Sequence, residues 1–578
     1  MNKRTFFKTA TVLAAPVAAV LLVEVVLALA GYRTTYQKED PFLGFSSVTT
    51  LFETNGDVYE TRESRLEWFN EQRFAADKPE DGYRIFSFGG STTFGRPYGN
   101  TTSFSNWLQV LLDASDTPNR FEVVNVGGVS YASYRIVNLM NEMVRYEPDL
   151  FVVYTGHNEF LEERTYSDIL EEPDVVTRLR TFLHRSRSYT ALRELWLSLQ
   201  SRETSGSGQA AGSGQAGAGG VREDSGEKFQ MAGEVTAILD QSFGLDRYHR
   251  DRDWRRAVVK HFRFNLGRMV EIARDAEVRL VFVVPPSNEK DFSPFKSQVC
   301  DGLDGERLRT WRNLYELGRV ELDDGDYGTA RKAFVRARDL DSCHAGLRFR
   351  TGRALLGLGR HDEAKSEFVR ATNLDVAPLR ATSRIQETVR EVADERDVPI
   401  VDLEARLERQ ARERLGHGIL GNEFLLDHVH PRLEVHQQLA EILFRRFTDA
   451  GWIDPGRSLA QIQTEALYDS VIGSLDDSYR AKRNLNLAKV LTWVGKTEEA
   501  AVFIRRAAEG LPDHAEAQYL EGALHQHRGQ FEQAVAAYRR AVGLDSTFAR
   551  AHNALGGVYE ITGQLDSAVA SIRRAIRH

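Results

Sequence analysis

The chain contains very little cysteine and no excess of positive charge. Cys300 and Cys343 are the only cysteines among 578 residues, so neither a disulfide-rich framework nor a four-thiolate zinc site is possible. Lysines and arginines number 75 against 83 aspartates and glutamates, a net charge of −8. This charge balance argues against nucleic acid as the main partner.

Nothing in the composition departs from that of globular proteins. Apolar residues make up 42% of the chain and charged residues 27%, which excludes a wholly disordered or fibrous protein. Because domains usually contain ~100–200 residues, the length predicts several domains.

Long apolar runs are missing except at the N-terminus, where one extends from about Thr9 to Gly31 behind Lys3 and Arg4. About 20 such residues span a bilayer, so residues 1–32 are predicted to form a signal anchor or transmembrane helix. The basic front predicts a single-pass protein whose bulk is exported, periplasmic or otherwise extracytoplasmic. A signal peptide cleaved after Ala28–Ala30 and a buried core helix remain as alternatives.

Short apolar runs that end in glycine or proline predict a parallel α/β sheet. They cover residues 83–90, 121–125, 150–154, 279–284 and 399–402. Residues 33–80 are expected to form a connecting region. Residues 201–226, rich in glycine, serine and alanine, are expected to form a flexible loop.

Two sections of the chain repeat with a period of 34 residues. In the first, Gly318 and Phe334 recur as Gly352 and Phe368. The second section holds three further copies. Small and bulky residues at this period resemble tetratricopeptide (TPR) repeats. We expect a TPR pair inserted at 308–376 and a C-terminal array over 476–578, serving either as a protein-binding surface or as a spacer or dimerisation element.

Four polar motifs fall where strands end or late in the α/β region. They are Gly89-Gly90-Ser91, Asn125 to Ser130, Gly156 to Glu159, and Asp427 to His430. Loops at the carboxyl ends of parallel strands meet at one edge of the sheet. An aspartate three residues before a histidine can orient the imidazole, which can then take a proton from a serine.

Each motif also has a simpler interpretation. Ser91 fits a helix N-cap. A metal site is a second interpretation of the late motif, with ligands among Asp427, His428, His430 and His436. His157 and His428 are expected to be polar lining or surface residues. Arg380 and Arg384 fit either an anion site or a solvated helix face.

In this order the motifs resemble the SGNH (GDSL-like) hydrolase superfamily, in particular its exported Gly-Gly-Ser-Thr subgroup. The resemblance implies a flavodoxin-like three-layer α/β/α domain over residues 81–450, interrupted by the TPR pair. It also implies that Ser91 is the nucleophile, His430 the general base and Asp427 its orienting acid. The oxyanion hole would combine the Ser91 amide, an amide of Gly128 or Ser130, and the Asn158 side chain.

The chain departs from this family in three places. Gly90 stands where the first block usually has aspartate, and Glu159 stands where the third usually has aspartate. Ser130 replaces a frequent glycine of the second block, so the sequence leaves open whether Gly128 or Ser130 supplies the amide.

The resemblance implies a membrane-tethered serine esterase that acts on O-acyl groups of envelope or extracellular carbohydrate, or on lipid esters, without a cofactor or metal. An O-acyltransferase with the same triad is the first alternative. A TPR scaffold with a non-catalytic binding domain is the second, and a protein partner is expected for the repeats. A disulfide between Cys300 and Cys343 would tie the first repeat to the α/β domain, but sequence separation leaves the pairing open.

Overall fold

A computed structural model describes residues 22–27, 29, 50–161, 186–189, 191, 248–493 and 497–578. The predicted loop at 201–226 and most of the predicted N-terminal helix at 1–32 lie outside these ranges. Within them, no helix has both the length and the apolar character that crossing a bilayer requires.

Residues 50–80 form part of the folded domain, although the sequence suggests only a connecting region. They contain an antiparallel sheet of β1 (Phe52–Asn55), β2 (Val58–Thr61) and β3 (Arg73–Ala75). Phe52 and Phe74 are buried against the main core, and the Leu51 N–H donates to the buried Glu142 carboxylate at 2.7 Å. These strands have only three or four residues, too few for a clear alternating pattern.

The central sheet is parallel, as the sequence predicts. Its strands are β4 (Gly82–Gly89), β5 (Arg120–Gly127), β6 (Leu150–Tyr154), β7 (Arg279–Val284) and β8 (Ile400–Asp402), in the order β5-β4-β6-β7-β8. Counted from β4, this is the order 2-1-3-4-5 of flavodoxin-like sheets. The order reverses at β4, which has β5 on one side and β6 on the other. A crevice is expected at that point.

Helices account for most of the remaining described structure. In chain order they are α1 (Ser91–Phe94), α2 (Phe104–Asp113), α3 (Ser133–Met143), α4 (Arg252–Asp275), α5 (Gly305–Asp323), α6 (Tyr327–Leu340), α7 (Ala345–Gly357), α8 (His361–Leu374), α9 (Ser383–Glu395), α10 (Leu403–Leu415), α11 (Leu433–Asp449), α12 (Thr464–Gly473), α13 (Asp477–Trp493), α14 (Thr497–Gly510), α15 (Ala515–His527), α16 (Phe531–Leu544), α17 (Ala549–Ile561) and α18 (Leu565–Arg577).

Both faces of the central sheet are buried under helices. On β4, Phe86 and Phe88 point to the face covered by α3, α4 and α9, while Ile85 points to the face covered by α2, α10 and α11. Successive side chains on a strand alternate between faces. A strand buried on both faces is therefore apolar throughout. The result is a three-layer α/β/α domain.

The helical insertion and the C-terminal array lie where the 34-residue period predicts them. Helices α5–α8 lie between β7 and β8, and α13–α18 form the C-terminal section. A Cβ atom at Gly318 would lie 2.4 Å from the Phe334 ring, and one at Gly522 would lie 2.6 Å from the Tyr538 ring. Glycine on one helix thus makes room for an aromatic ring on the next.

Cys300 and Cys343 form a disulfide with a Cα–Cα distance of 5.2 Å, which confirms the pairing that the sequence left open. Asp341 supports both ends of the bridge, because its Oδ1 accepts from the Cys300 N–H at 2.8 Å and the Cys343 N–H at 3.2 Å. The bond links the loop after β7 to the α6–α7 turn, and so holds the insertion against the α/β domain.

The glycine contacts predict opposite effects for two alanine substitutions in the C-terminal array. Gly522→Ala places a methyl group against the Tyr538 ring, and overpacking of this kind costs about 1–3 kcal/mol. Gly557→Ala, in helix α17, meets no atom within 4 Å and gains up to ~1 kcal/mol of helix propensity. Urea denaturation followed by circular dichroism should show a lower midpoint for the first and an equal or higher midpoint for the second. Equal stabilisation by both would contradict the close packing.

Candidate active site

Three side chains from distant parts of the chain form a hydrogen-bonded relay. His430 Nε2 lies 2.8 Å from Ser91 Oγ, and His430 Nδ1 lies 2.6 Å from Asp427 Oδ2. Asp427 and His430 are buried, whereas Ser91 is partly exposed. The structure therefore brings together the serine, histidine and aspartate that the motifs single out.

Close backbone approach at the end of β4 positions Ser91. A Cβ atom at Gly89 would lie 2.2 Å from the Tyr154 carbonyl oxygen, and one at Gly90 would lie 2.4 Å from Asn158 Nδ2. Gly90, which stands in place of the aspartate of the SGNH pattern, thus leaves room for the Asn158 amide. Ser91 follows as the first residue of α1.

The Asp427–His430 turn fixes the imidazole through its own backbone. Asp427 Oδ1 accepts from the N–H groups of Val429 and His430 at 2.9 and 2.8 Å. Burial disfavours the charged carboxylate, but the neighbouring His430 and His428 and these hydrogen bonds outweigh burial and hold the pKa of Asp427 well below its usual range. The carboxylate stays ionised and can stabilise a protonated His430.

A buried arginine supports this turn from behind. The Asn288 side chain donates to the Asp427 carbonyl at 3.0 Å, and the Asn288 N–H donates to the His428 carbonyl at 3.0 Å. Arg380 in turn donates to the carbonyls of Asn288 at 2.6 Å and Ser293 at 2.9 Å. Since Arg380 is only 1% exposed, the solvated-face interpretation is wrong for it, and its guanidinium is committed to carbonyls.

Arg384, unlike Arg380, lies at the surface, and the asparagine that supports the turn was not predicted. Arg384 is exposed and pairs with Glu387 and Glu391 on α9, so it lies on a solvated helix face. Asn288 was not singled out from the sequence. The available sequence signal was its position shortly after β7 and the two prolines, Pro285 and Pro286, that follow this strand.

Ser130 and Asn158 line the same cleft as Ser91. Gly128 is not available as a donor, because its N–H bonds to the Gly89 carbonyl at 3.0 Å. Within the described residues, no acceptor binds the N–H of Ser91 or Ser130, and Ser130 adopts a left-handed φ of 64°. Asn158 donates one amide hydrogen to the Tyr131 carbonyl at 3.0 Å, and a second hydrogen remains. Ser91, Ser130 and Asn158 are thus the donors that can meet an oxyanion.

Glu159 has a structural place beside this site. Its carboxyl accepts from the Ser133 N–H at 3.0 Å and the Ser133 hydroxyl at 2.7 Å, and Asn265 donates to the same hydroxyl at 3.0 Å. Burial raises the pKa of Glu159 to about 7. The residue that departs from the SGNH pattern therefore ties β6 to α3 and α4 and does not face Ser91.

The other histidines near the relay are neutral. Burial lowers the pKa values of His157 and His428 to about 3. The Ala381 N–H donates to His157 Nδ1 at 3.2 Å, so that nitrogen carries no proton. His428 lines the cleft beside Ser91, whereas His157 lies behind it.

The metal interpretation of the late motif finds no cluster of ligand atoms in the described part of the chain. There, the group close enough to hold an ion is Cys300, Asp341 and Cys343, and its two thiols are bonded to each other. Both oxygens of Asp427 already bind groups of the turn.

A cleft of about 100 Å³ opens over Ser91. Its lining consists of Ser91, Arg96, Pro97, Val129, Ser130, Asn158, Leu161, Leu379, His428, Val429, His430, Asn486, Lys489 and Val490. The last three belong to α13 of the C-terminal section, which the sequence gave no reason to connect with the site.

Family models match both helical sections of the chain. Residues 315–372 match a tetratricopeptide repeat model and residues 522–563 match a TPR repeat model. The matches lie inside the predicted insertion and the predicted C-terminal array. The chain therefore contains TPR repeats in both places.

Solved structures similar to this chain include MamA and one protein described as a TPR protein. MamA is 13% identical over 45% of this chain and 93% of its own, with a TM-score of 0.17. YrrB, described as a TPR protein with an unusual peptide-binding site, is 11% identical over 47% and 92%, with a TM-score of 0.16. MamA from Desulfovibrio magneticus RS-1 is 15% identical over 47% and 95%, with a TM-score of 0.15. TM-scores this low do not establish a shared arrangement. No curated protein matches the chain.

The buried Glu159 predicts a pH-dependent effect of one isosteric substitution. Its pKa rises from 4.5 to about 7 on folding, so its contribution to the free energy of unfolding is full below pH 4.5 and is lost as the pH rises to about 7. The loss is about 3 kcal/mol at 1.36 kcal/mol per pKa unit. Glu159→Gln should therefore be more stable than wild type at pH 8 and lose that advantage near pH 4. Denaturant unfolding at both pH values measures this. The exposed Glu465→Gln serves as control, and a pH-independent difference would contradict the prediction.

Proposed function

We propose that the chain is a serine-dependent ester hydrolase of the SGNH type that uses Ser91, His430 and Asp427. The observation that carries the proposal is the unbroken relay of hydrogen bonds from Asp427 through His430 to Ser91. A serine hydroxyl is a weak nucleophile unless a base removes its proton. Here His430 lies within bonding distance of that proton, and Asp427 fixes the imidazole.

The proposed reaction proceeds in two steps. Ser91 Oγ attacks the ester carbonyl carbon while His430 Nε2 takes its proton, and the amides of Ser91, Ser130 and Asn158 bind the developing oxyanion. His430 then gives the proton to the leaving alcohol, and an acyl-Ser91 remains. Water attacks the acyl group with His430 as base, and the acid leaves with Ser91 restored.

The size of the cleft favours a short acyl group. A space of about 100 Å³ is well below the 300–1,000 Å³ of pockets for larger ligands. An acetyl group is small enough for this space, and the alcohol part of the ester would extend along the open side of the cleft. We therefore propose O-acetyl groups of envelope or extracellular carbohydrate as the substrate class.

Export and membrane tethering are part of the same proposal. The basic residues and apolar run of residues 1–32 support it, as does the Cys300–Cys343 disulfide, because such bonds persist in oxidising compartments.

Transfer of the acyl group to a sugar hydroxyl is the nearest alternative reaction. A hydroxyl would replace water in the second step, with the same residues in the same roles. Acyl-Ser91 that accumulates until an acceptor is added would favour the transferase.

A scaffold function is the second candidate, and the TPR matches favour it. TPR repeats stack into concave surfaces that bind proteins or peptides. The two functions are compatible in one chain, and reactivity of Ser91 discriminates between a catalytic and a purely binding α/β domain.

Substitutions in the relay test the proposal. Ser91→Ala and His430→Ala of the full chain should abolish hydrolysis of p-nitrophenyl acetate, since the nucleophile or its base is lost. Asp427→Asn should lower kcat by about 10⁴ because it stabilises the wrong imidazole tautomer. Ser470→Ala, at an exposed serine on α12, should match wild type.

Two outcomes of that experiment would count against catalysis. One is wild-type protein without turnover and without labelling of Ser91 by a fluorophosphonate. The other is turnover that survives Ser91→Ala. Circular dichroism of each variant separates loss of the site from loss of the fold.

The proposed oxyanion hole gives a separate prediction. Asn158→Ala removes one donor and should lower kcat by about 10²–10³, while Ser91 still reacts with a fluorophosphonate. Gly90→Ala should act in the same direction, because its methyl group would displace the Asn158 amide. Steady-state kinetics with p-nitrophenyl acetate measure both. Unchanged kcat in Asn158→Ala would remove Asn158 from the oxyanion hole.

A further inference from the structure

The first helix of the C-terminal array, α13, binds the loop that follows Ser91. The Tyr479 hydroxyl accepts from the Gly99 N–H at 2.9 Å and lies 2.7 Å from Thr102 Oγ1. A Cβ atom at Gly99 would lie 3.3 Å from the Tyr479 ring. The helix is thus fitted closely to the segment that leads away from α1.

About two turns further along α13, Asn486 makes two more contacts with this loop. Its Nδ2 donates to the Pro97 carbonyl at 2.8 Å, and its Oδ1 accepts from the Arg96 guanidinium. Both partners line the cleft over Ser91. Asn486 therefore attaches the array directly to the rim of the site.

The opposite side of α13 packs against the loop after β7. Leu485, Ala488 and Leu491 share a buried cluster with Phe292, whose carbonyl accepts from Arg380 at 3.1 Å. The same arginine supports the His430 turn through Asn288. Helix α13 is therefore held between the loop that carries Ser91 and the loop that supports His430.

Helix α13 also contributes side chains to the lining of the cleft. From the α/β domain, Val129, Leu161 and Leu379 bring apolar side chains to the lining near Ser91. Helix α13 adds Asn486 and Lys489, which are polar, and Val490, which is apolar. An acetyl methyl group needs only apolar contact, whereas the hydroxyls of a sugar need polar partners.

We infer that α13 forms the wall of the active site that receives the alcohol part of the ester, and that Asn486 and Lys489 on this wall select a hydroxyl-bearing alcohol such as a sugar. This inference rests on the proposed esterase function. It makes the first repeat of the array part of the substrate site, so that substrate selection is divided between two domains.

A larger side chain on this wall tests its position. In the full chain, Val490→Trp should lower kcat/KM for 4-methylumbelliferyl acetate, an ester with a bulky alcohol, at least tenfold. For ethyl acetate, whose alcohol is small, kcat/KM should fall less than threefold. Lys482→Trp, at an exposed position of the same helix, should change neither value more than twofold. If Val490→Trp matches this control, or lowers both values equally, the wall is not where we infer it.

The polar contact that we infer for Lys489 is tested by removing its side chain. Lys489→Ala should raise KM for 6-O-acetylglucose at least fivefold and leave kcat within threefold. KM for p-nitrophenyl acetate should stay within twofold. Equal effects on the two esters would overturn the inference. So would a wild-type protein that cleaves only p-nitrophenyl acetate.

Ser91→Ala, measured in parallel, distinguishes a failure of the esterase proposal from a failure of the inference about α13. If labelling and turnover survive in Ser91→Ala, the esterase proposal fails, and this inference fails with it. If Ser91→Ala abolishes both while the α13 variants behave like Lys482→Trp, the esterase stands and only the inference about α13 fails.

Discussion

Parallel pairing of β4 with strands on both sides is the constraint on which the candidate site depends. Gly89 is opposite Gly127 on β5 and opposite Tyr154 on β6, so the loops after all three strands begin at one level. The backbones there approach so closely that a Cβ atom at Gly127 would lie 2.3 Å from the Phe94 nitrogen. Because side chains are excluded, backbone amides reach the crevice at the point where the strand order reverses.

His430 lies in a loop that does not directly follow any strand of the central sheet. Polar contacts must therefore hold it at the crevice. Buried polar groups are costly unless they are paired. Arg380 offsets that cost by donating to carbonyls of the loop after β7, and Asn288 passes the support to the Asp427–His430 turn. The imidazole is therefore positioned by a network that also fixes the segment immediately after the helical insertion.

The two TPR sections have different relations to the α/β domain. The insertion is attached by the Cys300–Cys343 bond and by a partly buried ion pair in which Lys365 lies 2.6 Å from Glu289. The C-terminal array is attached through Tyr479 and Asn486, beside the serine itself. One TPR section is therefore an insertion held against the α/β domain, and the other borders the candidate site.

The sequence by itself determined the sheet and the repeats, because each leaves a local signal. Apolar runs that end in glycine mark buried strands, and a period of 34 marks helix pairs. The order of the motifs, through a family resemblance, predicted a site at Ser91, Asp427 and His430, whose side chains the structure brings within hydrogen-bond distance. Tertiary structure alone decided what depends on distance between remote segments. It paired the two cysteines, buried Arg380 and set α13 against the cleft. It also bonded the Gly128 N–H to the Gly89 carbonyl, which leaves Ser130 as the open amide donor of the second motif. Such contacts join residues tens to hundreds of positions apart, and no local pattern records which surfaces will meet.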